Sequence, residues 1–233
     1  MKISEIYASL QGEGLLAGTP SVFVRTSGCN LRCHWCDTPF TSWEPVGETR
    51  SAAEVAAAVE SFGRRHVVVT GGEPLLFAEV TDVCSGLRQR GHHVTIETAG
   101  TVLLDTTADL VSISPKLASS APPAGTPGGW QARHSQARRR DDVILALMAR
   151  GPYQLKFVID AAADLAEALG WIDDLAAAAP EGVDRSRVFF MPQGRSGEEL
   201  ARTTAWLQQK CRAHGIRLAP RFHIEWFGHT RGT

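Results

Sequence analysis

Three of the chain's five cysteines lie within eight positions, in the stretch RTSGCNLRCHWCDTPF. Cys29, Cys33 and Cys36 are separated by three and then two residues. Thiolates are soft ligands that suit zinc or an iron–sulfur cluster. A structural zinc site closes with four ligands, and a ferredoxin-type cluster uses four cysteines. The stretch is therefore one ligand short of a closed site.

No residue stands out as the fourth ligand. His34 follows Cys33 in a tight loop and is expected to face outward. Cys84 and Cys211 each lie in a helical pattern, where a small buried thiol is the ordinary role. The economical solution is a cubane cluster with three protein ligands and one open iron, which can bind a small molecule.

The spacing C-x-x-x-C-x-x-C follows a predicted strand, has Trp35 before its last cysteine, and resembles the radical S-adenosylmethionine superfamily. The resemblance implies a 4Fe–4S cluster on Cys29, Cys33 and Cys36, whose open iron binds S-adenosylmethionine. It also implies a flavodoxin- or ferredoxin-like reductant and a 5′-deoxyadenosyl radical. In such enzymes the cofactor supplies the difficult step, and the protein supplies position and electrostatics.

The motif VTGGEP at Val69–Pro74 matches the second signature of that superfamily. Its glycines allow the backbone to approach a ligand closely, and Glu73 is expected to accept a hydrogen bond from the methionine ammonium group. Alone, the motif also fits an ordinary strand-to-helix turn. Its place one strand after the cysteines favours the functional interpretation.

The motifs LQGEG, CDT, TGGEP, ETAG, SPK and HIEWFG stand in the order found in 7-carboxy-7-deazaguanine synthases, from about residue 4 onward. This resemblance implies a homodimeric enzyme of queuosine and deazapurine biosynthesis. It implies conversion of 6-carboxy-5,6,7,8-tetrahydropterin to 7-carboxy-7-deazaguanine, with ring contraction, release of ammonia and a requirement for Mg²⁺.

The resemblance also assigns site residues. The expected substrate contacts are Leu10, Gln11, Gly12, Arg25 and Thr70. The expected cofactor contacts are Trp35, Cys36, Asp37, Gly72, Glu73, Ser114, Pro115, Lys116, Met191 and Gln193. The residues expected to act in catalysis are Arg25, Thr38, Glu97 and His223, with Arg25 on the pterin carboxylate and Thr38 on Mg²⁺.

Each of these four catalytic residues also has an ordinary structural interpretation. Arg25 suits a salt bridge, and Thr38 suits a helix cap. Glu97 suits an internal ion pair with a basic residue, and His223 suits a core histidine with satisfied hydrogen bonds.

Short β-branched runs alternate with amphipathic helical patterns and must position these residues. The predicted strands are Ser21–Arg25, His66–Thr70, His93–Glu97, Leu110–Ser114, Tyr153–Ile159 and Arg187–Met191. Such alternation implies right-handed crossovers and a parallel sheet. A partial six-stranded β/α barrel is expected, and an open doubly wound sheet is the alternative.

Polar residues share one face of several predicted strands, which indicates a wet interior. Ser112 and Ser114 form such a pair, and so do Gln154 and Lys156. The stretch RFHIEWF alternates in the same way and is interpreted as a further strand with Arg221, His223 and Glu225 facing the interior. A half-exposed antiparallel sheet is the alternative explanation.

The segment 117–142 interrupts this rhythm, because it is rich in Pro, Gly and Ser and then strongly basic. Its first half is expected to be a mobile surface loop within a single domain that spans residues 1–233. The run Arg138–Arg140 is expected to be a solvated face rather than an anion site.

The whole composition is that of an ordinary globular protein. The chain has 233 residues and a formal net charge of -1, which gives no global field for nucleic acid or membrane. The start has no signal pattern, and no apolar run reaches the ~18 residues of a membrane span. A cytoplasmic location is expected, where clustered cysteines bind metals more often than they form disulfides.

Two other functions fit part of the sequence. A radical activase that makes a glycyl radical on a partner protein shares the cysteine spacing, but it leaves LQGEG and CDT without a role. A non-catalytic zinc-binding module uses the cysteines alone. Product analysis separates the first from the expected reaction, and metal analysis separates the second.

Overall fold

The structure is a computed structural model that describes all 233 residues. Its nine strands form one sheet in the order β3-β1-β2-β4-β5-β6-β7-β8-β9. The strands are β1 Lys2–Leu10, β2 Pro20–Thr26, β3 Glu48–Thr49, β4 His66–Gly71, β5 His93–Thr98, β6 Leu110–Ile113, β7 Tyr153–Ile159, β8 Val188–Pro192 and β9 Arg217–Leu218. From β2 through β4 to β9 each neighbouring pair is parallel, whereas β1 is antiparallel to both β2 and β3.

Eight helices connect and cover the sheet. They are α1 Pro39–Ser42, α2 Ala52–Glu60, α3 Val80–Gln89, α4 Trp130–Ala137, α5 Asp141–Met148, α6 Ala162–Ala178, α7 Gly197–His214 and α8 Phe222–Phe227. Helix α2 begins with the predicted capping box, in which Ser51 accepts from the Glu54 N–H while the Glu54 carboxylate accepts from the Ser51 N–H. Helix α7 ends at Gly215, whose φ of 65° is the left-handed conformation that favours glycine. No helix is both long and apolar enough to cross a membrane.

The six predicted strands are β2 and β4 to β8, and the partial six-stranded barrel is confirmed. Side chains from these strands face one shared cavity, namely Phe23, Arg25, Thr70, Glu97, Ser112, Lys156 and Met191. The other faces carry the main hydrophobic core, which packs against the helices around Phe157, Trp171 and Phe190. An open doubly wound sheet buries both faces under helices and has no such concave polar side.

Two predictions about elements near the ends of the chain are wrong or incomplete. The stretch RFHIEWF is helix α8 and not a strand, and the rings of Phe222 and Trp226, four residues apart, stack with centroids 5.1 Å apart. As a result His223 still lines the cavity, while Glu225 is exposed. The first strand, β1, was not predicted although it carries the start of the LQGEG motif.

The segment 117–142 contains more regular structure than a surface loop. It includes 3₁₀ turns at Ala118–Ser120 and Pro127–Gly129, all of α4, and the start of α5. The arginines Arg138, Arg139 and Arg140 form ion pairs with Glu167, Asp141 and Asp142, respectively. These three arginines therefore pair with carboxylates of the same chain and do not form a free anion site.

Candidate active site

One cavity of about 440 Å³ opens at the carboxyl ends of the parallel strands. Its lining includes every predicted substrate contact, all three clustered cysteines, and the predicted catalytic residues Thr38, Glu97 and His223. Of the predicted cofactor contacts, Trp35, Cys36, Asp37, Gly72, Ser114, Lys116 and Met191 line it. Pro115, Gln193 and Glu73 are not among the lining residues.

The loop between β2 and α1 carries the three cysteines, and each of them takes part in a hydrogen bond. The Cys29 thiol accepts from the Leu31 N–H at 3.4 Å, and the Cys36 thiol lies 3.3 Å from the Ser42 hydroxyl. The carbonyl of Cys33 accepts from the Trp43 indole at 2.9 Å. We call residues 28–37 the cluster loop.

The chemistry of this donor set fits an iron–sulfur cluster. Burial raises the pKa of Cys29 to about 12 and that of Cys33 to about 11. Thiolates at these positions therefore need a cationic metal centre beside them. No three His, Cys, Asp or Glu side chains are grouped as ligands of a single ion, whereas a cubane presents its irons at separate corners and takes one thiolate at each. Cys29, Cys33 and Cys36 would hold that cluster.

The glycines of the VTGGEP motif allow it to lie directly against the cluster loop. A Cβ on Gly72 would stand 2.1 Å from the Gly28 carbonyl oxygen, which no side chain tolerates. Gly71 has a φ of 139°, a conformation suited to glycine. The Glu73 N–H then donates to the Gly28 carbonyl at 2.9 Å.

Glu73, the predicted contact of the methionine ammonium group, has a side chain that is hydrogen-bonded within the protein. The Glu73 side chain is completely buried, and its carboxylate accepts from the Leu75 and Ala99 N–H groups at 3.1 and 2.8 Å. It also accepts from the Thr98 hydroxyl at 2.8 Å. Glu73 therefore fixes the motif to the next strand, and the motif presents the Thr70 side chain and the backbone of Gly71 and Gly72 to the cavity.

A network of charged side chains occupies the part of the cavity formed by β4, β5, β7 and α8. Glu97 accepts from Gln11 at 3.1 Å and from Thr70 at 2.9 Å, and it lies 3.9 Å from Lys156. Lys156 is buried and forms an ion pair with Glu13. Glu97 therefore lies in the cavity and also belongs to an internal ion pair with Lys156.

Arg221 connects this network to the cluster loop. Its guanidinium donates to Asp37 at 2.6 Å, to the Gly194 carbonyl at 2.6 Å, and to Glu13 at 3.4 Å. His223 lies 3.8 Å from Glu13, and burial lowers its pKa, so the neutral ring is favoured. A Cβ on Gly12 would stand 2.4 Å from the His223 Nδ1, so Gly12 permits the LQGEG motif to pack on α8.

Arg25 lies on the cavity wall but is already paired. Its Nε donates to Glu5 at 2.8 Å, and its Nη2 donates to the Tyr7 hydroxyl at 2.6 Å. The remaining Nη1 has no partner within the chain and is available for an anion. Thr38 is the N-cap residue of α1, but its side chain makes no capping hydrogen bond and lines the cavity.

Sequence reasoning did not assign five charged residues of this site: Glu5, Glu13, Lys156, Arg221 and Arg231. Signals for three of them were present. Glu13 lies inside LQGEG, and Lys156 and Arg221 are polar residues of strands that were expected to face the interior. Nothing in the sequence marks Glu5, because its role depends on the pairing of β1 with β2, where it lies opposite Arg25.

Comparison with known proteins agrees with this site. Residues 23–119 match the Radical SAM superfamily. The chain is 42% identical to the 7-carboxy-7-deazaguanine synthase of Rhodopirellula baltica over 99% of this chain and 88% of that protein. It is 44% identical to the enzyme of the same name from Halobacterium salinarum, over 96% and 89%. The crystal structure of QueE from Escherichia coli superposes with a TM-score of 0.67 at 25% identity, over 94% of this chain and 92% of that one. The chain is thus a radical S-adenosylmethionine enzyme and belongs to the 7-carboxy-7-deazaguanine synthase family.

Proposed function

We propose that this protein converts 6-carboxy-5,6,7,8-tetrahydropterin to 7-carboxy-7-deazaguanine, with ring contraction and release of ammonia. One observation carries the proposal: a single cavity joins three cysteine thiols to a network of Gln11, Thr70, Glu97 and Lys156. The first part suits an iron–sulfur cluster, and the second suits a flat heterocycle rich in N–H and carbonyl groups. With S-adenosylmethionine bound, the cluster supplies a 5′-deoxyadenosyl radical.

The side chains of the cavity bind and orient the pterin in this proposal. The free Nη1 of Arg25 holds the pterin carboxylate, which must be paired once it is buried. Glu97 and Gln11 hydrogen-bond the edge of the ring, and Leu10 and Gly12 cover it. This arrangement would turn the pterin towards the side of the cavity that carries the cysteines, where the cofactor would be held, because hydrogen abstraction requires close approach.

The Glu13, Lys156 and His223 group is suited to moving protons during the rearrangement. His223 is neutral near pH 7, so it can accept a proton. The carboxylate of Glu13 outweighs burial and raises the pKa of Lys156, which therefore stays protonated as a fixed positive charge. Mg²⁺ belongs to the same proposal, with the Thr38 hydroxyl as its protein ligand and substrate and water oxygens completing a hard coordination shell.

The proposal also assigns residues to the binding of S-adenosylmethionine. The backbone of Trp35, Cys36, Asp37 and Gly72, with Ser114, Lys116 and Met191, holds S-adenosylmethionine in this proposal. The proposal also includes a flavodoxin- or ferredoxin-like reductant, a homodimer and a cytoplasmic location. The reductant and the homodimer follow from the family, and the location follows from the sequence.

The experiment that tests the function is anaerobic cluster reconstitution followed by incubation with the carboxylated pterin, S-adenosylmethionine, Mg²⁺ and a chemical reductant. We expect 7-carboxy-7-deazaguanine by mass spectrometry, and many product molecules per molecule of S-adenosylmethionine consumed. Cys33→Ala is the matched control and should make neither product nor deoxyadenosine. Cleavage of S-adenosylmethionine without any deazaguanine would reject the substrate and favour an activase.

A further inference from the structure

The segment from Leu117 to Ala137 packs directly on the cluster loop. Ala137, at the end of α4, contacts the small hydrophobic cluster of Leu31, Cys33 and Ala99, against which Cys29 and Cys36 also pack. The segment follows β6 and crosses over the cysteines before the chain enters α5. None of the functional roles assigned above falls on it.

Two backbone N–H groups on either side of Cys33 find their acceptors in this segment. The Arg32 N–H donates to the Nδ1 of His134 at 3.2 Å, and the His34 N–H donates to the Ser120 carbonyl at 3.1 Å. A hydrogen bond of this kind contributes about 0.5–1.5 kcal/mol. These two bonds therefore fix the position of the peptide groups that carry the Cys33 side chain.

The hydrogen bonds also determine the tautomer of His134. Because Nδ1 accepts from an amide, the ring proton is on Nε2, and it points to the Ser120 hydroxyl at 2.9 Å. The Ser120 hydroxyl in turn donates to the Leu117 carbonyl at 2.6 Å. The ring is completely buried, and burial together with neighbouring cations lowers its pKa to about 4. His134 is thus a neutral ring with both nitrogens engaged.

The same helix holds the cluster loop from its outer side. The indole of Trp130 lies between two guanidinium groups, 4.0 Å from Arg32 and 4.3 Å from Arg133. Arg32 also donates to the Cys29 and Leu31 carbonyls at 2.8 Å. Helix α4 therefore contacts the cluster loop through the hydrogen bond to the His134 ring and through the cation–π contact with Trp130.

We propose that the segment from Leu117 to Ala137 is a brace for the iron–sulfur cluster, and that His134 and Ser120 are its positioning residues. They hold the backbone around Cys33 in the conformation that presents its thiolate to the cluster. The inference rests on the proposed function only in that the cysteines hold a cluster. Residues that orient metal ligands in this way typically change metal affinity 10–100-fold when they are replaced.

The test compares His134→Ala, His134→Asn and Ser120→Ala with the control Gln136→Ala, an exposed residue of the same helix. Asparagine keeps an acceptor near the place of Nδ1 but loses the link to Ser120. Each protein is reconstituted anaerobically, and iron loss to a chelator is followed by absorbance. We expect loss about tenfold faster in His134→Ala, by analogy with other ligand-orienting residues, an intermediate rate in His134→Asn, and the wild-type rate in Gln136→Ala.

A second measurement needs neither cluster nor turnover. In the metal-free protein, alkylation of Cys33 is followed by mass spectrometry, and we expect it to be several-fold faster in His134→Ala and Ser120→Ala than in the control. If His134→Ala does not fold, Ser120→Ala and His134→Asn decide the matter in both assays. Iron loss and alkylation within twofold of wild type in these variants would overturn the brace.

Different results would reject the proposed brace and the proposed function. A wild-type protein that retains its cluster but makes no deazaguanine rejects the pterin reaction, and the iron-loss and alkylation results still decide on the brace. The reduction potential of the cluster adds a readout that general loss of stability does not move. We expect the potential to shift in His134→Asn and Ser120→Ala and to remain unchanged in Gln136→Ala.

Discussion

At the scale of single residues, the site is a set of charges that are paired before substrate enters. The Glu5 carboxylate accepts from Arg25 on one oxygen and from Arg231 on the other, each at 2.8 Å. Two cations and one anion leave one positive charge in excess, which matches one carboxylate on the ligand. Recognition of a carboxylated pterin therefore does not require that an existing ion pair be broken.

Arg25→Ala should weaken binding of the carboxylated pterin about ten- to a hundred-fold, since a charged hydrogen bond contributes about 1.5–3 kcal/mol. The cluster should remain, and S-adenosylmethionine should still be cleaved slowly. The pterin affinity of Arg25→Lys should lie between those of wild type and Arg25→Ala, because lysine keeps the positive charge but lacks the planar guanidinium that can bind a carboxylate with two hydrogen bonds. Pterin affinity and the ratio of deoxyadenosine to deazaguanine are the measurements, with exposed Arg65→Ala as control. Wild-type values in Arg25→Ala would remove Arg25 from the substrate site.

The ion pair of Glu13 and Lys156 makes stability depend on pH in a defined direction. Burial raises the pKa of Glu13, but the positive charges of Lys156 and Arg221 outweigh burial and hold this pKa well below the ordinary 4.5. A carboxyl group with a lowered pKa stabilises the folded state fully above its unfolded pKa. That contribution is lost as the pH falls from about 4.5 towards the folded pKa.

Lys156→Met should raise the pKa of Glu13 and lower the free energy of unfolding at pH 7 by about 3 kcal/mol, the cost of leaving a buried charge without its main partner. The acid-unfolding midpoint should also move to higher pH. Urea unfolding between pH 7 and pH 4 measures both effects. Lys210→Met, at an exposed position of α7, is the control. Equal pH dependence in the two variants would contradict this account of Glu13.

At the scale of elements, the sequence predicts well those strands whose local residue pattern is clear without knowledge of their tertiary contacts. The runs HVVVT and YQLKFVI are β-branched or aromatic and bounded by turn residues, and their predicted limits agree with β4 and β7 within one residue. Helix α8 was missed because six residues with alternating polarity are too short to separate period 2 from period 3.6. The internal hydrogen bonds of Glu73 were not visible in the sequence either, since a motif does not specify which way a carboxylate turns.

Strand β1 also required information from outside its own sequence. Eight of the nine residues of β1, all except Ile3, are only partly buried, so no clear alternation of buried and exposed positions marks the strand. A register shift between Ile3 and Glu5 disturbs the period further. The pairing with β2 that places Glu5 opposite Arg25 is a long-range contact, and it becomes visible only in the folded sheet.

At the scale of the whole molecule, distant parts of the chain meet over the cavity. The Arg231 Nε lies 2.8 Å from Glu5 on β1, and its guanidinium carbon lies 4.1 Å from the ring centroid of Phe40 in α1. Residues from Gly228 to Thr233 line the cavity together with the cluster loop. The segment after α8 therefore covers one side of the cavity, with Arg231 as its main attachment.

Arg231→Ala should leave the fold intact, because a half-exposed ion pair contributes at most about 1 kcal/mol to stability. It should instead loosen the cover over the cavity, and a closed cavity protects a reactive intermediate from side reactions. We therefore expect several-fold more deoxyadenosine per deazaguanine, with a smaller loss of pterin affinity than in Arg25→Ala. Arg231→Lys should restore part of the coupling, and Arg212→Ala, exposed on α7, should match wild type. If the ratio of the two products is unchanged in Arg231→Ala, the contact with Glu5 serves only to place the tail, and the cover has no part in directing the radical to the pterin.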